Sequence, residues 1–182
     1  MGFCIFNNVA VAARYAQKVH GVDRIAIIDW DIHHGNGTQD IFDADPSIFY
    51  FSTHQWPHYP GTGTRHQTGS GAGAGYSLNC PSAPGSGRRE VVGSFRHELG
   101  PAMEEFRPEL VLISAGFDGW VGDSMGAFEL SEADYSELTG MLMGIAEKHA
   151  GGRLISVLEG GYNMEGLRLC VAAHVAAMQQ EV

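Results

Sequence analysis

Four side chains that do chemistry crowd into one short stretch. Asp29-Trp30-Asp31-Ile32-His33-His34 supplies two carboxylates and two imidazoles, and Gly35-Asn36-Gly37 follows at once. Such groups buried without partners would cost several kcal/mol each, so something cationic is expected among them. A metal ion is the simplest candidate. Asp31 and His33 stand two apart, so in extended geometry their side chains point the same way and can share one ion. Two further segments end in comparable groups: Ser114-Ala115-Gly116-Phe117-Asp118 and Glu159-Gly160-Gly161-Tyr162. Asp31, His33 and Asp118 would make three protein ligands with a position left open, which is the pattern of a catalytic rather than a structural zinc site. Such an ion polarises a carbonyl oxygen and brings the pKa of a bound water to about 7. Tyr162 follows two glycines, Gly160 and Gly161, where backbone approaches closely, and its hydroxyl could donate to a developing oxyanion; one such donor is worth roughly 10²–10³ in rate. Together these groups describe metal-assisted hydrolysis of an amide. Singly, Asp118 reads as a turn former, Tyr162 as a packed aromatic and His34 as a structural histidine; the pattern lies in their combination.

Stepping outward, each cluster closes an apolar run. Ile25–Asp29 and Leu110–Ala115 read as buried strands and Leu154–Leu158 as a strand, with Ser47–Ser52 and Tyr76–Cys80 as two more. Helical spacing marks Asn7–His20 (stopped by Gly21), Gly37–Phe42, Arg88–Phe106 with a break near Gly100-Pro101, Ser131–His149 capped by Ser131, and Met164–Gln180. Residues 53–75 form a glycine-rich irregular segment long enough to suggest function. Strands alternating with helices predict an α/β fold, a parallel sheet flanked by helices. Ligands of such sheets sit beyond the carboxyl ends of the strands, so one crevice could collect all three polar clusters.

Bulk properties narrow the function classes. A chain of 182 residues, 44% hydrophobic and 18% charged, predicts one globular domain over 1–182. The net charge of −10 argues against phosphate-driven nucleic-acid binding. No apolar run is long enough for a bilayer and no secretory signal opens the chain, so no membrane partner is expected. Cys4, Cys80 and Cys170 lack CxxC spacing and read as reduced, buried thiols of a cytoplasmic protein.

The residues in these clusters, with Gly2-Phe3-Cys4-Ile5-Phe6-Asn7-Asn8 and Pro60-Gly61-Thr62-Gly63, resemble the zinc-dependent histone deacetylase family, which includes bacterial acetylpolyamine amidohydrolases. Asn36 and Glu159 resemble its class II and bacterial branches. The resemblance implies the arginase–deacetylase fold and deacetylation of acylated lysine or polyamine. It implies Zn2+ (or Fe2+, which the same ligands suit) on Asp31, His33 and Asp118, with Tyr162 polarising the carbonyl. A structural K+ is implied at Asp29, Asp31, His33 and Ser52, and a weaker monovalent site at the carbonyls of Phe42, Asp45 and Ile48. Phe3 and Tyr59 fall where the family lines an acyl-lysine tunnel.

One departure stands out. The family carries a tandem His-His general acid and base shortly upstream of the Gly-Phe-Cys segment, and this sequence starts at Met1, so that pair is not within it. The expectation is a domain incomplete at its N-terminus, about 10²–10⁴ weaker in catalysis, with Asp29 and Asn36 deprived of the histidines they orient. An exposed sheet edge and an exposed apolar helix face are expected too. A binding module without hydrolysis is the alternative function. Gly122-Asp123-Ser124-Met125-Gly126 fits the serine-hydrolase G-x-S-x-G, with Asp134 and His149 following, but a nucleophile elbow needs a strand directly before it. Gly69-Ser70-Gly71-Ala72-Gly73-Ala74 fits a dinucleotide fingerprint only formally, because a strand rather than a helix follows.

Overall fold

Ile25–Asp29 forms β1, the central strand of the sheet in the computed structural model, which describes residues 3–180. Five strands, all parallel, lie in the order β3-β2-β1-β4-β5: β2 is Ile48–Gln55, β3 Ser77–Ser82, β4 Leu110–Ala115 and β5 Leu154–Leu158. The helices are α1 Asn8–His20, α2 Asn36–Phe42, α3 Arg88–Ser94, α4 Gly100–Phe106, α5 Glu132–Ala150 and α6 Met164–Met178. This is the parallel sheet flanked by helices that the strand–helix alternation predicts.

β1 is buried along its whole length because helices cover both faces. Ile25 and Ile27 join Leu110, Leu112, Ile48 and Tyr50 in packing on Val9, Ala10, Ala13 and Ala16 of α1. Ala26 and Ile28 face the other way, toward Phe95, Met103, Leu138 and Leu142. Each fully buried isoleucine stabilises the fold by about 1.5–3 kcal/mol. Gly21 closes α1 in the left-handed region and Ser131 caps α5, as the sequence foretells, whereas Asn7 stands outside α1 as its cap, its Oδ1 accepting from the Ala10 amide.

Several boundaries differ from expectation. β2 continues through Thr53-His54-Gln55, all buried, so the irregular segment begins later than residue 53. β3 runs on to Ser82 and takes in Pro81, which an edge strand tolerates. The irregularity between α3 and α4 is a π-helical stretch at Phe95–Leu99, one turn before Pro101. Pro101 has no amide hydrogen to return to the preceding turn, and the wider winding accommodates that loss. Cys4 is exposed, not buried, whereas Cys80 and Cys170 are buried, and all three are free. Gly2 lies outside the described residues.

The chain reverses direction across the sheet between β1 and β4. β2 and β3 extend to one side of β1, while β4 and β5 extend to the other. The C-terminal ends of β1 and β4 therefore open a crevice, the usual ligand position in such sheets. On the far side β5 is an edge strand, with Ile155 and Leu158 about half exposed; α1 also exposes Val11, Tyr15 and Val19 at four-residue spacing. An open edge and an exposed apolar helix face are both present. No described helix is long and apolar enough to cross a membrane.

Candidate metal centre

Asp31 and His33 leave β1 just beyond Asp29, and Asp118 leaves β4 three residues after Ala115. Register explains their meeting, because Asp29 pairs with Ser114 and so carries the two exits side by side. The donor atoms of Asp31, His33 and Asp118 lie within 4.8 Å of one another. His33 Nδ1 stands 3.0 Å from Asp31 Oδ1 and 3.1 Å from Asp118 Oδ2. Backbone amides aim the carboxylates: His33 N–H donates to Asp31 Oδ1 (2.8 Å), Ile32 N–H to Asp118 Oδ1 (2.9 Å), and Gly160 N–H to Asp31 Oδ2 (2.9 Å).

The electrostatics of the cluster call for a cation. Asp118 is fully buried, and burial beside the Asp31 carboxylate pushes its pKa up to about 7. Burial alone would lower His33, but its hydrogen bonds to Asp118 and Asp31 outweigh that and raise it to about 10. The space around the carboxylates is also reserved. A Cβ on Gly160 would lie 2.2 Å from Asp118 Oδ2 and 2.7 Å from Asp31 Oδ2, and one on Gly116 would lie 2.4 Å from Asp31 Oδ2. Two oxygens and one imidazole nitrogen, convergent and fenced by glycines, fit a small divalent ion.

Above the cluster opens a cavity of about 920 Å³, lined by Phe3, Tyr59, Met125, Asp31, His33 and Tyr162 among others. Phe3 and Tyr162 meet edge to face, with ring centroids 6.1 Å apart. Burial, reinforced by Asp118 and Asp31, pushes the Tyr162 phenol up to about 12, so it keeps its proton at neutral pH. Gly161 adopts φ +144°, which favours glycine, and so turns Tyr162 back toward the cavity.

A family model of the histone deacetylase domain matches residues 1–178. The chain belongs to the histone deacetylase family. Among curated histone deacetylase relatives, "Histone deacetylase 14, chloroplastic" of Arabidopsis thaliana is 45% identical over 100% of this chain and 43% of its own length. "Polyamine deacetylase HDAC10" of Homo sapiens is 42% identical over 97% of this chain and 27% of its own. The solved HDA15 HD domain superposes with a TM-score of 0.92 at 41% identity, covering 98% of this chain and 50% of that one. The histone deacetylase Clr3 superposes at 0.90 and 40% identity, covering 96% and 30%. The sheet is thus that of the arginase–deacetylase fold, and the chain spans half or less of each of these relatives.

Other expected residues occupy definite places. Asp29 is buried and not unpartnered as anticipated: Tyr50 O–H donates to its Oδ2 (2.9 Å) and the Asp31 amide to its Oδ1 (3.2 Å). Ser52 is fully buried, and its hydroxyl is engaged with His54 Nδ1 at 2.9 Å. The serine-hydrolase triad fails on geometry. Asp134 caps the first turn of α5 and pairs with Arg88, while His149 sits at the last turn beside Glu104. Fifteen residues of helix separate them by about 22 Å. The glycine-rich stretch at 69–74 contains a single 3-10 turn and runs into β3, with no helix to receive a pyrophosphate.

Sequence reasoning passed over several participants. His58 stacks on His33 with centroids 4.9 Å apart, and its Nε2–H donates to the Met125 carbonyl (2.9 Å). Gly116 could have been found, since it falls inside a segment already singled out. His58 gave no signal, because a histidine in an irregular loop has no period to betray its partner.

Proposed function

We propose that this chain carries the metal-holding and carbonyl-facing part of an amidohydrolase that removes acyl groups from lysine side chains or polyamines. The observation that supports it most is the convergence of Asp31, His33 and Asp118 beneath a cavity that Tyr162 also lines. Deacetylases among the relatives, including the polyamine deacetylase of Homo sapiens and a "Probable deacetylase" of Archaeoglobus fulgidus at 44% identity, support the reaction class.

Asp31, His33 and Asp118 would hold Zn2+ or Fe2+, which supplies a Lewis acid able to polarise a carbonyl and acidify water. Asp29, Asp31, His33 and Ser52 would surround a structural K+. Tyr162, protonated at neutral pH, donates its hydroxyl to the amide oxygen as negative charge develops there. Phe3 and Tyr59 offer flat apolar walls to the methylene stem of an acylated amine and keep water from it. The only tandem histidines in this sequence are His33 and His34, and neither is free for proton transfer: His33 faces the two carboxylates, and His34 is buried between Thr62 and Gln39. The proposal therefore gives the general acid and base roles to neither of these two histidines.

Zinc titration with elemental analysis tests the reading, alongside hydrolysis of an acetyl-lysine peptide and of acetylspermidine. The chain should bind one zinc, Asp118→Ala none, and Tyr162→Phe one. Any hydrolysis should fall about 10²–10³-fold in Tyr162→Phe. Unchanged zinc content in Asp118→Ala, or hydrolysis that survives a chelator, would overturn it.

A further inference from the structure

The turn that carries Tyr162 is held from outside the metal cluster. Asp123, on the loop between β4 and α5, is nearly buried and accepts three main-chain hydrogen bonds. Its Oδ2 takes the Tyr162 and Asn163 amides, each at 2.8 Å, and its Oδ1 takes the Met125 amide at 2.9 Å. Asn163 returns the connection, since its Nδ2 donates to the Gly122 carbonyl (2.9 Å) and its Oδ1 caps α6 through the Glu165 and Gly166 amides. At the other end of the turn, Gly160 N–H is fixed on Asp31. The backbone of 160–163 is thus clamped at two points, with Gly161 between them in a conformation that lends no stiffness of its own.

From this bracing we infer that Asp123 is the positioning residue that sets the Tyr162 phenol over the carboxylate–imidazole cluster, and through Met125 sets the facing cavity wall. The inference rests on the proposed role of Tyr162. Asp123 does not itself line the cavity, so it acts through the residues it holds. Hydrogen bonds to a charged acceptor are worth more than neutral ones, and a flexible Gly-Gly turn released at one end would let the phenol sample many directions.

The test needs no turnover. The chain is labelled with 3-fluorotyrosine, the Tyr162 resonance is assigned with Tyr162→Phe, and zinc is added. In the wild type one sharp Tyr162 resonance should shift on zinc addition. In Asp123→Ala it should lie near the free fluorotyrosine position and respond little to zinc, although zinc affinity stays within about threefold of wild type. Amide exchange at Tyr162 and Asn163 should quicken roughly 10- to 100-fold. Asp123→Asn keeps one carbonyl acceptor and should restore most of both signals, which also covers the case where the alanine variant folds poorly. A Tyr162 resonance and amide exchange unchanged in Asp123→Ala would refute the inference. A wild-type resonance indifferent to zinc, with Asp123→Ala still disordering the turn, would instead refute the placement of Tyr162 beside the metal.

Discussion

Gly160→Ala probes the candidate metal centre without removing a candidate ligand. The added Cβ would lie 2.2 Å from Asp118 Oδ2 and 2.7 Å from Asp31 Oδ2. Non-bonded contacts settle near 3.5 Å, so the nearer approach is short by about 1 Å. Neither side yields readily, because Asp118 Oδ1 is tied to the Ile32 amide and Gly160 N–H to Asp31 Oδ2. Metal coordination tolerates about ±0.2 Å in ligand distance, and displaced supporting groups typically cost 10–100-fold in affinity. Two carboxylates pushed together should cost at least the upper figure, about 3 kcal/mol of binding free energy. Overpacking at the turn would take about 1–3 kcal/mol from stability. Zinc affinity from competition with a chromophoric chelator, with urea unfolding alongside, separates the two losses. Gly144→Ala is the control: it lies inside α5 with nothing within 4 Å of its Cβ. It should leave zinc affinity unchanged and raise stability by about 0.5–1 kcal/mol. Zinc affinity in Gly160→Ala within about threefold of wild type would show that the carboxylates do not bind the ion in the arrangement described.

Two buried histidines supply further tests. His54 donates through Nε2 to the Gly63 carbonyl and accepts at Nδ1 from Ser52, so it is held neutral, and burial with the neighbouring His34 pushes its pKa down to about 3. Its unfolded value is about 6.5, so the stability it confers is complete above pH 6.5 and is lost as pH falls toward 3. At pH 5 the loss is about 2 kcal/mol. Urea midpoints at pH 7 and 5, compared between wild type and His54→Gln, should show that much extra acid loss in the wild type, and equal losses would contradict it. The second histidine, His174, is gripped between Thr139 Oγ1 (2.7 Å) and Ser156 Oγ (2.9 Å), joining α6 to α5 and β5. Thr139→Val should strand its Nδ1–H and cost about 1–3 kcal/mol in chemical unfolding; a neutral result would mean the ring finds another acceptor.

The sequence made the central strand and its candidate metal ligands readable because both depend on local order. An isoleucine run marks a strand buried on both faces, and carboxylate–x–imidazole spacing places two donors on one side of its exit. Asp118 could be joined to them because the parallel-sheet rule already gathers strand ends into one crevice. Other features rest on contacts that have no period. Thr53-His54-Gln55 looks like loop by polarity, yet it continues β2 because β3 pairs with it through Ser82 and Ala127, 72 residues on, donates its amide to the Gln55 side chain. Asp123 appeared only within a spurious G-x-S-x-G, since a carboxylate that binds two backbone amides 39 and 40 residues away leaves no trace in spacing. Tyr50 reads as one more apolar strand residue, and only its hydroxyl on Asp29 gives it a second role.

What holds the centre in shape is mostly main chain. Asp29 pairs with Ser114 in the β1–β4 register, which brings Asp31 against Gly116 so closely that no Cβ fits between them. The same register lets Asp118 reach back to the Ile32 amide, and β5 beside β4 delivers Gly160 N–H to Asp31. A slip of one residue between β1 and β4 would turn either Ile28 or Ile113 out of their shared apolar layer and at once part the carboxylates from these amides. Hydrophobic burial in the two layers and donor geometry at the strand ends therefore select a single register. The apolar pattern of the strands fixes where the carboxylate oxygens of the candidate metal centre stand.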